Sequence, residues 1–475
     1  MKKLPKALRI IIWIALSITG LFVLLFAIEN WRGAKAWQAT HDRLVANNIT
    51  LDLAELAPKP TPDETNFYTT PLLSGIEFSE NHEKAEFLES LTLLDGKERE
   101  INSSPSIEKR TFGDFSELAE ALELADGRAQ AVYDEIETRF GEQLKELETA
   151  ARRPNAQTKI DWAKARSFVE LSALELPHYH TAMHLQRLLR IRALAAIQIG
   201  DGEAAINAMR PQFRFAQATA SEPLLIGNLV LQVHLSMLQT TIWEGLARET
   251  WNVQQLQEIE AELRRIDLLE QYGLAMQGEL CFQVGAIDFL KRADAREWAK
   301  LSGIDGDASG IKLGWWCPTG WFDQNKSLGA NWVLDSAILP AQKRDLKALV
   351  DAPEWDSSNR LHPYRLVVNI MIPALESISI KVAHRHLMLE MTKDAISLEI
   401  GKQETGNYPA EYRSKTPDFD DAPLRYATTP NGRYMFYSIG WNQTDDNAEV
   451  AFRAVKKDRP KLDEGDWVWD FTVLR

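Results

Sequence analysis

The least polar stretch of the chain comes near its start. No residue from 10 to 28 carries a charge, and most are Ile, Leu, Val or Phe. At 1.5 Å per residue, about 19 helical residues cover about 28 Å, close to the thickness of a hydrocarbon core. A helix pairs its own backbone groups, so such a run can cross lipid. Trp13 and Trp31 fall near its two ends, where amphipathic rings prefer to lie. Lys2, Lys3, Lys6 and Arg9 precede the run, whereas Glu29, Arg32 and Lys35 follow it. The denser positive charge in front predicts a cytoplasmic N-terminus and a C-terminal bulk that has crossed. A cleaved secretory signal is the competing reading. Its apolar core would be shorter, about 7–15 residues, and Ala34-Lys35-Ala36 is a poor cleavage match well beyond Glu29.

Residues 57–63 read APKPTPD and predict extended chain. The stretch up to about residue 110 is weakly periodic and reads as a linker with short elements. Helical spacing then begins with Phe115, Leu118, Ala119 and Leu122. Asp114-Phe-Ser-Glu117 ahead of them resembles a capping box, and Asp126-Gly127 closes the helix. Val132, Ile136, Phe140, Leu144 and Leu147 form a second stripe. Another helix is expected over 160–176, interrupted by Pro177. Residues 180–199 are strongly helical. Gly200-Asp201-Gly202 makes a turn, and an Ala-rich helix starts near Glu203. The unit reads as an αα-hairpin and is similar to a tetratricopeptide-type pair, without a clean repeat period along the chain. Residues 224–246 and 253–291 predict long helices. Residues 301–331, rich in Gly and Trp, predict an irregular loop. Helix resumes over 340–349 and 366–400, with a break at Pro373.

After Gly401 the period changes. Residues 424–426 and 433–439 flank Pro430-Asn431-Gly432, a hairpin signal. Trp467, Trp469 and Phe471 alternate with Val468, Asp470 and Thr472 at strand period. The last 75 or so residues therefore predict a small β-rich subdomain on a helical body.

The formal net charge is −14, and the bulk is more acidic still because the first nine residues hold four positive side chains. That balance argues against nucleic acid as a partner, which needs basic surface to replace counterions. Cys281 and Cys317 are the two cysteines. Outside the cytoplasm they could be bridged, closing a loop of about 35 residues worth about 3–4 kcal/mol in the chain-entropy picture. Two separately buried thiols are the simpler expectation.

Four groups of side chains carry candidate chemistry. His180 and His184 lie one helical turn apart beside His178, with His234 on another helix. No third ligand is identifiable, and ordinary surface or partly buried histidines are the expectation. Asp305-Gly-Asp307-Ala-Ser309-Gly310 opens like an EF-hand loop, but the twelfth position is Trp316 instead of Glu. Trp315, Trp316 and Trp321 surround Cys317 and Pro318; filling a gap between helices is the expected use, with a sugar, a partner or a membrane interface as the others. His384 and His386 flank Arg385 and read as surface residues. No Gly-x-Ser-x-Gly elbow, phosphate-binding loop or Rossmann glycine pattern occurs.

Residues 407–447 contain Tyr408-Pro409, Pro417-Asp418-Phe419, Ala422-Pro423-Leu424-Arg425-Tyr426, Tyr437-Ser438-Ile439-Gly440 and Asp445-Asp446. This series resembles the C-terminal pattern of type II secretion major pseudopilins. It also resembles the close of a group of bacterial membrane-anchored helical proteins of uncharacterised function. Leu176-Pro177 and Gly320-Trp321-Phe322-Asp323-Gln324-Asn325 are similar to that group as well. The resemblance implies a calcium site at Asp445 and Asp446, with Asp420 or Asp421. Pseudopilin processing is not implied, since Gly20 lies mid-membrane and Leu25 stands where a Glu is needed.

The fold expected is mainly α: one transmembrane helix, a body of antiparallel TPR-like helical hairpins and a small C-terminal β-rich subdomain. The boundaries are a cytoplasmic stub at 1–9, the membrane helix at 10–28, a linker and mixed region at 29–110, the helical domain at 111–400 and the C-terminal module at 401–475. The function expected is that of a structural or protein-interaction protein of the bacterial envelope, single-pass in the inner membrane with its bulk periplasmic. Its expected partners are the membrane and an envelope protein, with no cofactor, metal or catalytic residue assigned. An accessory role in a secretion system, and an envelope hydrolase or metal-dependent enzyme, are the alternatives.

Overall fold

The computed structural model describes residues 5–74, 91, 112–124, 126–165, 168–292, 317–352, 355, 363–452 and 460–471. The chain is mainly helical, with a few short antiparallel strands near the C-terminus. Helix α1 (Lys6–Ala46) does not stop where the apolar run stops. The expected linker from residue 29 instead begins as eighteen more residues of the same helix, ending at Ala46. A short α2 (Leu53–Leu56) follows. Then come α3 (Ser116–Ala121), α4 (Ala129–Ala150), α5 (Phe168–Ser172), α6 (Pro177–Gln198), α7 (Gly202–Ala220), α8 (Leu225–Ala247), α9 (Val253–Arg264) and α10 (Leu268–Arg292). Helix α11 (Thr319–Val333) runs through a π turn (Leu334–Ile338) into α12 (Leu339–Lys343); α13 (Leu346–Val350) and the long α14 (Val368–Thr405) complete the helices.

Several expectations about elements change. The helix expected over 160–176 is a 3-10 turn (Trp162–Lys164) and the five-residue α5. Pro177 starts α6 instead of ending its predecessor, because its missing N–H is one the first turn leaves unpaired anyway. Asp114 does not form a capping box: its carboxylate takes the amide and hydroxyl of Ser116, and α3 ends at Ala121, before Asp126-Gly127. The helix expected over 253–291 is two, α9 and α10. The part of the expected irregular loop that lies within the described residues is the regular helix α11. Helix α14 continues through Pro373, which lies in its second turn.

The turn between α6 and α7 has a full set of local causes. Gly200 adopts φ +80°, Asp201 N–H bonds Ala196 O and Gly200 N–H bonds Ile197 O, the two bonds of a Schellman ending. The Asp201 carboxylate then caps α7 by accepting from Ala204 N at 2.9 Å. The turn after α8 is built the same way, with Glu249 at φ 54° and Thr250 N bonding Gly245 O. A capping box between Asn252 and Gln255 opens α9. The two turns touch: a Cβ on Gly202 would lie 2.8 Å from Thr250 O. Arg210 bonds Glu258 at 2.6 Å, and one turn further on Arg214 bonds Glu262 at 2.8 Å. Equal offsets mean that α7 and α9 run side by side in the same direction.

One apolar cluster extends from Leu44 through α6–α14 to Phe471. The C-terminal strands share it and have no separate core. Strand β2 (Tyr434–Ser438) is central, pairing with β1 (Arg425–Thr428) and later with β5 (Trp467–Trp469), both antiparallel. The expected turn at Pro430-Asn431-Gly432 joins β1 and β2, with Gly432 at φ +76°. A separate hairpin holds β3 (Val450–Phe452) and β4 (Pro460–Gly465). A second cluster lies between residues 67–73, α3, α4 and α6. Among the described residues two helices are long and apolar enough to cross a membrane, α1 and α8. Most of α8 is buried inside the protein, as a core helix is.

Helix α14 meets the C-terminal segment through carboxylates. Glu399 accepts from the hydroxyls of Tyr408 (2.8 Å) and Tyr434 (3.1 Å). Asp394 accepts from Tyr412 (2.8 Å) and Ser414 (2.6 Å). Burial pushes the pKa of both acids up, against these hydrogen bonds. A raised folded value means that the ionised form is disfavoured by folding, so stability is lost as pH rises from the ordinary carboxylate range through the raised value. Glu399→Gln keeps an acceptor for both tyrosines and removes the charge. Its melting temperature should equal or exceed that of the parent at pH 7, and the parent should gain on it as pH falls toward 5; a constant difference across that range would contradict the sign.

Candidate functional site

The most elaborate side-chain arrangement lies where α1 enters the body. Gly33 and Gly320 bring α1 and α11 into backbone contact: a Cβ on Gly33 would overlap Gly320, and one on Gly320 would overlap Glu29 O. Asn30 Oδ1 accepts from Gly320 N and from the Thr319 hydroxyl, both at 3.0 Å, so α1 supplies the cap of α11. Further along, Thr40 meets Ser327 (2.8 Å) and Asn331 (2.8 Å), and Arg43 reaches Asn331 and Asp335. Partner numbers rise together, so the two helices are parallel. Tyr364 donates to Glu29 at 2.9 Å.

Charges are buried in this seam. Lys326 is 4% exposed. Its ammonium bonds Asp288 at 2.8 Å, lies 3.6 Å from Asp323 and stands 4.0 Å over the Trp37 ring. Lys291 bonds Asp323 at 2.9 Å. Two cations therefore share two carboxylates among α1, α10 and α11, the pairing that burial of charge requires. Beside it lies a cavity of about 640 Å³, walled by Trp37 and His41 of α1, Leu51, Leu53, Phe168, Val169 and Leu171, and by Cys281, Val284, Asp288, Phe289 and Arg292 of α10. Cys281 is a free thiol, its pKa pushed up to about 12 by burial. Cys317, just before α11, is also free, so no bridge joins them.

The histidines divide among different roles. His178, Tyr179 and Thr158 all converge on Glu222, which is fully buried in the link between α7 and α8. Thr158 donates at 2.6 Å, His178 Nε2 lies 3.2 Å from Oε1, and the Tyr179 hydroxyl also donates. Gly227 leaves room for that hydroxyl, 2.7 Å from where a Cβ would be. This carboxylate ties three separate segments together. His184 instead meets His180, Nε2 to Nε2 at 2.9 Å. His234 is fully buried with neither ring nitrogen hydrogen-bonded, and its pKa is pushed down to about 3 by burial. Among the described residues no three His, Cys, Asp or Glu converge as a metal site would require.

His384 and His386 are not surface residues: they are 6% and 8% exposed. His384 packs edge-on against Trp467 with 4.9 Å between ring centroids. Burial pushes the His386 pKa down to about 4. Strand β5 covers the His384 side of α14, which helical periodicity alone does not reveal.

Two of the residues implied for calcium, Asp420 and Asp445, face a cation of the chain itself. Arg425 bonds Asp418 (2.5 Å) and Asp420 (2.7 Å) and approaches Asp445 (3.5 Å). Asp446 accepts from Asn442 at 3.0 Å, while Asp421 takes a left-handed turn position. The Asp305–Gly310 loop, Trp315 and Trp316 lie outside the described residues. Trp321 is half-buried on α11, against Phe322. Sequence reasoning missed Asn30, Lys326 and the cavity; the i,i+3 pairs Asp288/Lys291 and Asp323/Lys326 were the available signal.

Gly320→Val should cost about 3 kcal/mol through overpacking at the seam, read as a fall in the thermal unfolding temperature of the full chain in detergent. A change within error would mean that the seam yields. Glu222→Ala should cost about 3–5 kcal/mol because it strands three buried donors. Glu222→Gln should cost clearly less, since it keeps an acceptor; a loss equal to that of Glu222→Ala would mean that the charge itself is what the three donors require.

Comparisons with protein-family models, with curated proteins and with solved structures gave no match.

Proposed function

We propose that the chain is a single-pass membrane protein that holds its helical body rigidly against the outer face of a bacterial inner membrane and offers stacked helix pairs to a protein partner. One observation carries the anchoring. Residues 10–28 of α1 are exposed along their length, with Trp13 70%, Ile18 63% and Val23 60% exposed. The same helix, without a break, is fixed by Asn30, Gly33, Thr40 and Arg43 to the body. Leaving so continuous an apolar surface in water is unfavourable by roughly 25 cal/mol per Å², and a bilayer removes that cost. The positive residues ahead of the run favour a cytoplasmic N-terminus.

The interaction role has its support in α6–α9. Two helix pairs with matching turns, and α7 parallel to α9, make the arrangement of stacked antiparallel hairpins. On α8, Ile226, Leu229 and Val233 are 47%, 37% and 39% exposed. Their spacing puts them on one face, an apolar stripe on an otherwise core helix.

The test combines topology with contact. In right-side-out membrane vesicles, external protease should degrade the body, and inside-out vesicles should protect it. A photo-crosslinking residue at position 229 should give a discrete protein adduct in intact membranes, absent when the same residue replaces the exposed Asp421. Protection in the opposite vesicles would reverse the orientation, and adducts no stronger at 229 than at 421 would sink the interaction role.

A further inference from the structure

The cavity at the seam has features that the anchoring and interaction roles leave unused. It is flanked by the anchor helix itself. Trp37 and His41 lie nine and thirteen residues beyond the apolar run, which at 1.5 Å per residue is about 14 and about 20 Å above it. The headgroup layer takes up roughly 5–8 Å of that height. The cavity therefore stands about one to three helical turns above the headgroups. Its volume, about 640 Å³, lies within the usual range for small-molecule sites.

Its walls and its mouth differ in kind. Leu51, Leu53, Leu171 and Val284 line it. Phe168 packs between Phe282 and Phe289, at 4.9 and 5.5 Å between ring centroids. Val169 is 43% exposed on the same lining, so an apolar surface continues outward to solvent. Of the charged lining groups, Asp288 is committed to Lys326. Arg292 is exposed, and its one described bond goes from Nε to the Asp288 carbonyl at 3.0 Å. No carboxylate is paired with it among the described residues. In a chain of net charge −14, a guanidinium with no acid partner among the described residues, beside a cavity that has aliphatic and aromatic walls, is a directional signal. His41 lines the same cavity.

We propose that this cavity binds the apolar chain of an anionic amphiphile, a long-chain carboxylate or an anionic lipid, with the chain among Leu53, Phe168 and Val284 and the head at Arg292 beside His41. The inference rests on α1 crossing the bilayer, since that keeps the cavity close to a source of amphiphiles. The aromatic and aliphatic walls exclude water from the chain, and the cationic rim selects the head. Neither feature needs any residue of the Glu222 cluster.

The test uses the full chain in nanodiscs of phosphatidylcholine and a palmitate carrying a diazirine midway along its chain. After illumination, modified peptides are mapped by mass spectrometry. Label within residues 10–28 reports insertion of the anchor and serves as the internal control. Label on residues 168–171 and 281–289 reports the cavity. The cavity label should saturate and be displaced by unlabelled palmitate, with hexadecanol about tenfold weaker. Arg292→Glu, an exposed substitution, should reduce it about tenfold, and Ala165→Trp, which fills the cavity, should abolish it. In both variants the label on residues 10–28 should be unchanged. Nanodiscs of phosphatidylglycerol separate the sources: suppression of the cavity label assigns the bilayer's own lipid, and persistence assigns the free acid. Anchor label without cavity label overturns the binding site while leaving the anchor standing. Cavity label indifferent to Arg292→Glu and competed equally by hexadecanol overturns the anionic head. Absence of label on residues 10–28 overturns the anchor instead.

Discussion

Backbone contact between α1 and α11 governs much of what surrounds it. Gly33 and Gly320 let two parallel helices approach closer than any side chain would allow. At that distance Asn30 reaches the first turn of α11, and Thr40, Ser327 and Asn331 pair across the seam. Van der Waals attraction falls steeply with separation, so small residues at a crossing gain in packing what they give up in side-chain area. The mechanical consequence is direct. No flexible linker separates the apolar run from the body, so any tilt of the anchor is a tilt of the whole domain.

The same closeness explains the buried charges. An ammonium at the position of Lys326 is tolerable only because Asp288, Asp323 and the face of Trp37 surround it. Similar compensation recurs elsewhere. Arg192 is held by Glu137 and Glu148, each at 2.5 Å, and Arg425 by a set of aspartates. Asp288 meets Lys326 from α10, and both glutamates meet Arg192 from α4, so these pairs specify helix register as well as contributing attraction. At the Arg425 site the guanidinium already supplies the positive charge that a group of aspartates would otherwise draw from solution.

What the sequence made legible was whatever is local. The apolar run, the stripe from Val132 to Leu147, the glycine turn at Gly200 and the Pro430-Asn431-Gly432 hairpin all appear where periodicity and turn chemistry predict them. The misses share a cause. Helix α11 reads as a loop because Gly320, Gly329 and the tryptophans weaken helix propensity, yet Gly320 is what the seam requires. Pro177 reads as a breaker unless it is known to be the first helical residue. His384 reads as a surface residue because Trp467, which covers it, is distant in sequence, and His386 does so because its near neighbour Arg344 lies on another element. The Glu222 cluster gathers residues from 158 to 222, and no spacing rule connects them.

The C-terminal segment packs as part of the helical body. Its turn and strands fold as a module would, but Tyr434, Phe436, Trp467 and Trp469 enter the same apolar cluster as α8 and α14. Trp243 of α8 donates to Asp470 O at 2.8 Å, and three acids of α14 take hydroxyls from residues 408–434. Removing these strands would uncover α14 along the face that holds His384 and leave buried carboxylates without donors. The segment is therefore part of the core. The anchor seam at one end of the sequence and this hydroxyl–carboxylate seam at the other bear on the same cluster, which Leu44 enters from α1 and Phe471 from the last described strand region. A domain closed from both termini in this way holds its seam cavity at a fixed distance from the apolar run of α1 without a second attachment.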